Sequence, residues 1–195
     1  MKKYRTLFSI VFLFVATFGY SQNKEEREHR ILCGQFPKKA VATVKTSLEG
    51  VRNLKYYKEI GSTYKTYTAK FKKDKLAYRM DFDTQGNMQN IGYLIKEADI
   101  PEETYTAIDT YLEENFEKPK ARRMIQQYLS SDFNGSEDLM KTAFQNILSP
   151  KVEYKFIITA KSEGFRQYFE VLFNAKGEVK NMRKSPAANY DHVLY

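Results

Sequence analysis

Apolar positions along the chain change period several times, and each change predicts an element. Val41, Val44 and Leu48 recur at helical spacing behind Pro37, so 37–49 reads as a short amphipathic helix. Four alternating runs follow, at 53–60, 63–72, 75–83 and 87–95. In the second and third, Tyr67, Ala69 and Phe71, then Tyr78, Met80 and Phe82, fall on one face. The turn Asp83-Thr84-Gln85-Gly86 suits a tight hairpin, and connections this short favour an antiparallel meander. Helical spacing returns behind Pro101 with Tyr105, Ile108, Leu112 and Phe116. A strand at 121–129 precedes a helix at 136–148, opened by Ser136 and carrying Leu139, Ala143 and Ile147. Strands at 151–161, 165–174 and 178–184 complete the pattern. Residues 22–30 (QNKEEREHR) are polar and read as a frayed segment or at most a short helix.

Two of these elements look like copies of two others. FPKKAVATVKTSLE (36–49) aligns without a gap on IPEETYTAIDTYLE (100–113), and RMDFDTQGNMQNI (79–91) on EVLFNAKGEVKNM (170–182). The helix recurs after 64 residues and the hairpin after 91, so 27 residues are inserted in the second copy, where the 136–148 helix lies. The fold class expected is therefore α+β. It comprises two tandem units, 36–95 and 100–184, each a helix packed on a four-stranded antiparallel sheet, with an extra helix inserted in the second. An N-terminal segment 22–35 and a C-terminal tail 185–195 flank them.

The first 21 residues stand apart. Lys2, Lys3 and Arg5 precede an apolar run at 7–18, which ends in Gly19-Tyr20-Ser21. This is the pattern of a cleaved secretory signal peptide, and it places the protein in the periplasm or outside the cell. The apolar run is too short to span ~30 Å of hydrocarbon. Removal of the signal leaves 29 of the 32 cations against 24 acids, a mild basicity of about +5. Nucleic acid is excluded as a partner class for an exported chain with no nucleic-acid motif. The single cysteine, Cys33, forbids an internal disulfide, so the fold must rest on an apolar core rich in its 14 Phe and 15 Tyr. Cys33 itself reads as a small buried residue or a free thiol.

No catalytic constellation is complete. DFDTQG (81–86) imitates the start of a calcium loop, yet its twelfth position is Gly92 and its repeat carries Lys176, so a hairpin is the better reading. His29 and Cys33 supply two ligands where structural zinc takes four. No GxSxG elbow, GxGxxG or P-loop occurs, and no cofactor is implied. Lys70, Lys72, Lys73 and Lys75, and again Lys118, Lys120, Arg122 and Arg123, form basic runs that suit protection of strand edges. Alternation puts Tyr57, Tyr64, Lys70 and Arg79 on the sheet face away from the first helix, an exposed Tyr and Arg surface of interface composition.

The signal, the proline-initiated helix, the meander and the turn F-[DN]-x-x-G-x-[hydrophobic] together resemble the PepSY-like, β-lactamase-inhibitor-like family of exported bacterial proteins. Pro37, Phe82, Asp83 and Gly86 carry the resemblance in the first copy; Pro101, Phe173, Asn174 and Gly177 carry it in the second. The resemblance implies a non-catalytic binding module of the cell envelope that presents an open sheet face to a protein or peptide partner. Tyr57, Tyr64, Lys70 and Arg79 are then the candidate partner-binding residues. The alternatives are an envelope hydrolase using Asp81 or the pair Asp191 and His192, and a structural binder of anionic envelope polymer.

Overall fold

The protein is described from a computed structural model, over residues 27–48, 50–61 and 64–185. The signal-peptide reading of 1–21, the tail from 186 onward and the Asp191–His192 pair lie outside the described residues. Among the described residues nine strands form one antiparallel sheet in chain order. They are β1 (Arg27–Ile31), β2 (Arg52–Ile60), β3 (Lys65–Lys73), β4 (Leu76–Phe82), β5 (Met88–Ile95), β6 (Glu117–Leu129), β7 (Glu153–Ser162), β8 (Phe165–Asn174) and β9 (Val179–Ser185). Three helices, α1 (Lys38–Ser47), α2 (Glu102–Asn115) and α3 (Ser136–Phe144), cover one face.

Alternation within each strand sets the core. Tyr67, Ala69 and Phe71 of β3, Tyr78, Met80 and Phe82 of β4, and Tyr154, Phe156 and Ile158 of β7 all face the helices and are buried. Ala40, Val44 and Leu48 of α1 and Ile108 and Leu112 of α2 fill the same cluster. Phe36 and Ile100, each just ahead of its proline, are buried too. Phe36 packs against Tyr56 with the rings tilted and their centres 4.7 Å apart.

The paired segments share local geometry. A 3₁₀ turn, Cys33–Gln35 or Glu97–Asp99, precedes each proline, and Pro37 and Pro101 adopt φ −56° and −54°. In the two hairpins, Asp83 Oδ1 accepts from the Gln85 and Asn87 N–H groups, both at 2.8 Å. Asn174 Oδ1 accepts from Lys176 and Glu178 at 2.9 and 3.0 Å. Each turn closes on a glycine at positive φ, Gly86 (+84°) and Gly177 (+83°), pressed against the first turn of α1 and α2 respectively. The Asp83 carboxylate is thus spent on its own turn, which is the hairpin reading of 81–86 rather than a calcium loop.

Three expectations differ. First, 27–31 is a strand rather than a frayed or helical segment. Its residues are poor strand formers, but an edge strand needs only backbone pairing with β2, and Glu28 gains Lys70 of β3 as an ion-pair partner at 2.6 Å. His29 and Cys33 therefore do not share a helix face, and Cys33 is exposed. Second, there is one sheet, not two four-stranded ones. β6 is 13 residues long and pairs with β5 through Met124–Leu129, fusing the two halves into one ladder. Third, the inserted helix α3 does not serve the second half alone. Its Phe144 packs on Tyr78 and Phe71 of the first half at 5.3 and 6.3 Å, and Tyr93 of β5 hydrogen-bonds Asn146 just beyond the helix.

Candidate functional site

The face opposite the helices is concave. In a flat sheet β2 and β9 would lie ~33 Å apart at 4.7–4.9 Å per strand. Yet the Arg183 guanidinium on β9 donates to the Tyr64 hydroxyl in the β2–β3 connection at 3.1 Å. The sheet has curled until its far strand meets its first hairpin. Tyr64 in turn donates to Glu59 at 2.9 Å, and Arg183 also reaches Glu170 at 3.2 Å. A Glu59–Tyr64–Arg183–Glu170 chain thus bridges the mouth of the curl.

Inside is a cavity of about 390 Å³ lined by side chains of all nine strands, among them Glu28, Glu59, Arg79, Asp81, Arg123 and Lys155. No cleft was expected from the sequence, because curvature leaves no mark on alternation. Three of the four residues singled out by parity, Tyr57, Lys70 and Arg79, do share this face with Tyr64. They are not an exposed surface, however. Tyr57 is 7% and Lys70 5% exposed. The Lys70 ammonium lies 4.1 Å from the centre of the Tyr57 ring and against Glu28. Burial of this ammonium lowers its pKa to about 8, with Glu28 opposing the shift. The unexpected strand β1 supplies the cover.

Arg79 and Asp81 form the floor. Arg79 binds Asp81 Oδ1 through two nitrogens at 2.8 and 3.2 Å, and Thr68 donates to the same oxygen at 2.7 Å. Burial pushes the Asp81 carboxyl up, but Arg79, followed by Lys155 and Thr68, holds it below its usual value. A carboxylate committed in this way suits a structural ion pair, not a general acid or nucleophile. Glu59 moves the other way: burial raises its pKa against the opposing pull of Arg79 and Tyr64. Glu170 is also desolvated, yet Lys155 at 3.5 Å and Arg183 hold it down to about 2.

Glu170 gives the concave face a pH signature. Its folded pKa lies below the unfolded value of 4.5, so its stabilisation is complete above that value and is lost as pH falls toward 2. Denaturant titrations between pH 5 and 2.5 are expected to show about 2–3 kcal/mol of this loss in the native chain and a shallower decline in Glu170→Gln. Equal slopes in the two proteins would overturn the assignment. Asp81 adds in the same direction, and Glu59 opposes it.

No protein-family model matches the chain, and no curated protein matches its sequence. Solved structures do match. A DUF2874 family protein from Bacteroides ovatus superposes with a TM-score of 0.52 at 12% identity, over 82% of this chain and 95% of that one. A protein described as periplasmic from Bacteroides eggerthii superposes at 0.50 and 11% identity, over 81% and 94%. This chain has their fold. A BLIP-like protein from Bacteroides fragilis matches at 0.47 and 14% identity, over 82% and 93%. Among the described residues no helix is long and apolar enough to cross a membrane, and no three potential metal ligands cluster.

Proposed function

We propose that this chain is an exported, non-catalytic binding module of the bacterial cell envelope, periplasmic or secreted, that takes a protein or peptide partner into its concave sheet face. One observation carries the reading: the curled sheet brings side chains from every strand, charged ones from seven of the nine, around one cavity of about 390 Å³. Such convergence gives a partner many directional contacts at one place, whereas a solvated sheet face would scatter them. The pattern of an export signal read from the sequence at 1–21, and the periplasmic description of a protein with the same fold, support the location. The matched turns at Gly86 and Gly177, and the matched proline-led helices, support two related PepSY-like units at 36–95 and 100–184. Tyr57, Tyr64, Lys70 and Arg79 keep distinct roles in this reading. Tyr64 contacts the partner at the rim and Arg79 forms the floor, while Lys70, backed by Tyr57, holds the lining residue Glu28 in place from outside the cavity. The hydrolase alternative is weaker, because Asp81 is held as a carboxylate by Arg79 and Thr68.

A photoreactive residue at Tyr64, introduced in the native cell, is expected to yield discrete protein adducts, while the same residue at the exposed helix position Glu114 yields none. Equal labelling from both sites, or none from Tyr64, would end the reading.

A further inference from the structure

The second half of the concave face holds a cluster that the cavity floor does not explain. β6 carries a bulge between Ala121 and Arg123, where its register with β7 shifts. Across that bulge two adjacent arginines reach the same face. Arg123 lines the cavity, and Arg122 Nε donates to the Thr159 hydroxyl of β7 at 3.1 Å. From β8, Arg166 donates to that same oxygen at 3.3 Å. Two guanidinium groups therefore converge on one hydroxyl. Like charges so placed repel, and ordinarily a carboxylate stands between them. Among the described residues neither Arg122 nor Arg166 forms an ion pair. Thr159 is 2% exposed, accepts two hydrogen bonds, and donates its own proton to no described residue. A buried hydroxyl with an unspent proton, below two exposed guanidiniums with unspent donors, is the arrangement an oxyanion would complete.

We propose that Arg122, Thr159 and Arg166 form an oxyanion seat, and that its occupant is a carboxylate of an acidic peptide segment. This deepens the reading above and rests on it. The surroundings favour a peptide over a lone small ion. On β6 to β9 the concave face presents Arg122, Arg123, Lys155, Arg166 and Arg183. Its carboxylates there are Glu117, paired with Lys161, Glu170, shared by Lys155 and Arg183, and Glu153, already met by Gln127 and Lys180, so each already has a cation of its own. The seat is thus one end of a cationic track that crosses four strands, long enough for a chain carrying more than one acid. Guanidinium forks match the two oxygens of a carboxylate, which gives the track direction as well as charge.

The test uses the chain lacking residues 1–21, calorimetric titration at low ionic strength, and three probes: acetyl-Gly-Glu-Gly-Glu-Gly-amide, its Gln counterpart, and inorganic phosphate. The Glu peptide is expected to bind at least about tenfold more tightly than the Gln peptide, and binding should weaken as salt is raised. Arg122→Gln with Arg166→Gln should remove that preference, while Lys141→Gln, an exposed position on α3 across the sheet from this face, should keep it. Thermal melting gives a second readout. Relief of repulsion should leave the double variant as stable as the parent or more so. A merely structural pair bracing Thr159 would make it less stable, and that result would overturn the seat. Equal binding of the two peptides would overturn it as well. Phosphate binding as tightly as the Glu peptide would make it a small-anion site and end the peptide assignment. If adducts still form from Tyr64 while the peptides show no charge preference, the seat fails and the broader reading survives.

Discussion

Arg79→Met is expected to lower the unfolding free energy by about 3–5 kcal/mol, the usual result of stranding one member of a buried ion pair. Arg79 meets Asp81 through two nitrogens, and the Asp81 side chain is only 6% exposed. Without the guanidinium, Asp81 keeps Thr68 as donor but loses the charge that offsets its desolvation. The companion change decides the cause. Arg79→Met combined with Asp81→Leu removes both charges and should recover most of the loss, because a pair replaced by apolar groups of similar size is often neutral. Urea denaturation of the two variants measures this. A single variant within 1 kcal/mol of the parent, or a double variant as weak as the single, would contradict the buried-pair account. The same geometry makes Arg79 a poor position for probing partner capture, since its removal disturbs the fold before it disturbs any docking.

Gly177→Ala is expected to cost about 3–4 kcal/mol, well above the 1–2 kcal/mol that a left-handed φ alone imposes. Gly177 has φ +83°, and an added Cβ would stand 2.6 Å from the Thr104 carbonyl oxygen and 2.9 Å from Ala107 Cβ. Both obstacles belong to the first turns of α2, so relief requires the helix to lift from its hairpin. Thr104 Oγ1 also donates to the Ala175 carbonyl at 2.9 Å, so lifting would break that bond too. Gly164 supplies the comparison: its φ is also +83°, but nothing lies within 4 Å of its would-be Cβ. The difference between the two alanine variants, read from denaturation midpoints, isolates the helix contact from the backbone strain. Equal losses would show that the contact contributes nothing.

These positions also show what a single sequence discloses. Gly86 and Gly177 were legible, because a hairpin at positive φ demands glycine and the demand is written twice. The strands between Arg52 and Ser185 were legible from period-two alternation, which assigns Tyr67 and Lys70 to opposite faces whatever the sheet later does. β1 was not, since REHRI carries no alternation and its reason for pairing, Lys70, lies 42 residues away. The fusion of the halves through β5 and β6 was not either, because alternation identifies a strand's face and never its neighbour. Parity placed Tyr57, Lys70 and Arg79 on one face correctly, but whether that face meets water depends on curvature. The Arg122–Thr159–Arg166 convergence escaped for a related reason. A bulge breaks the parity rule locally, so the run KPKARR read as a protected edge although Arg122 and Arg123 both reach the concave face.

The bridge from Tyr64 to Arg183 has a mechanical corollary. A sheet whose ends touch behaves less like a plate than like a hoop: pushing outward on any strand loads the junction where the hoop closes. An object wedged between β4 and β7 would therefore be felt at Tyr64 and Arg183 without touching either. How readily that junction parts sets how large a guest the hoop admits.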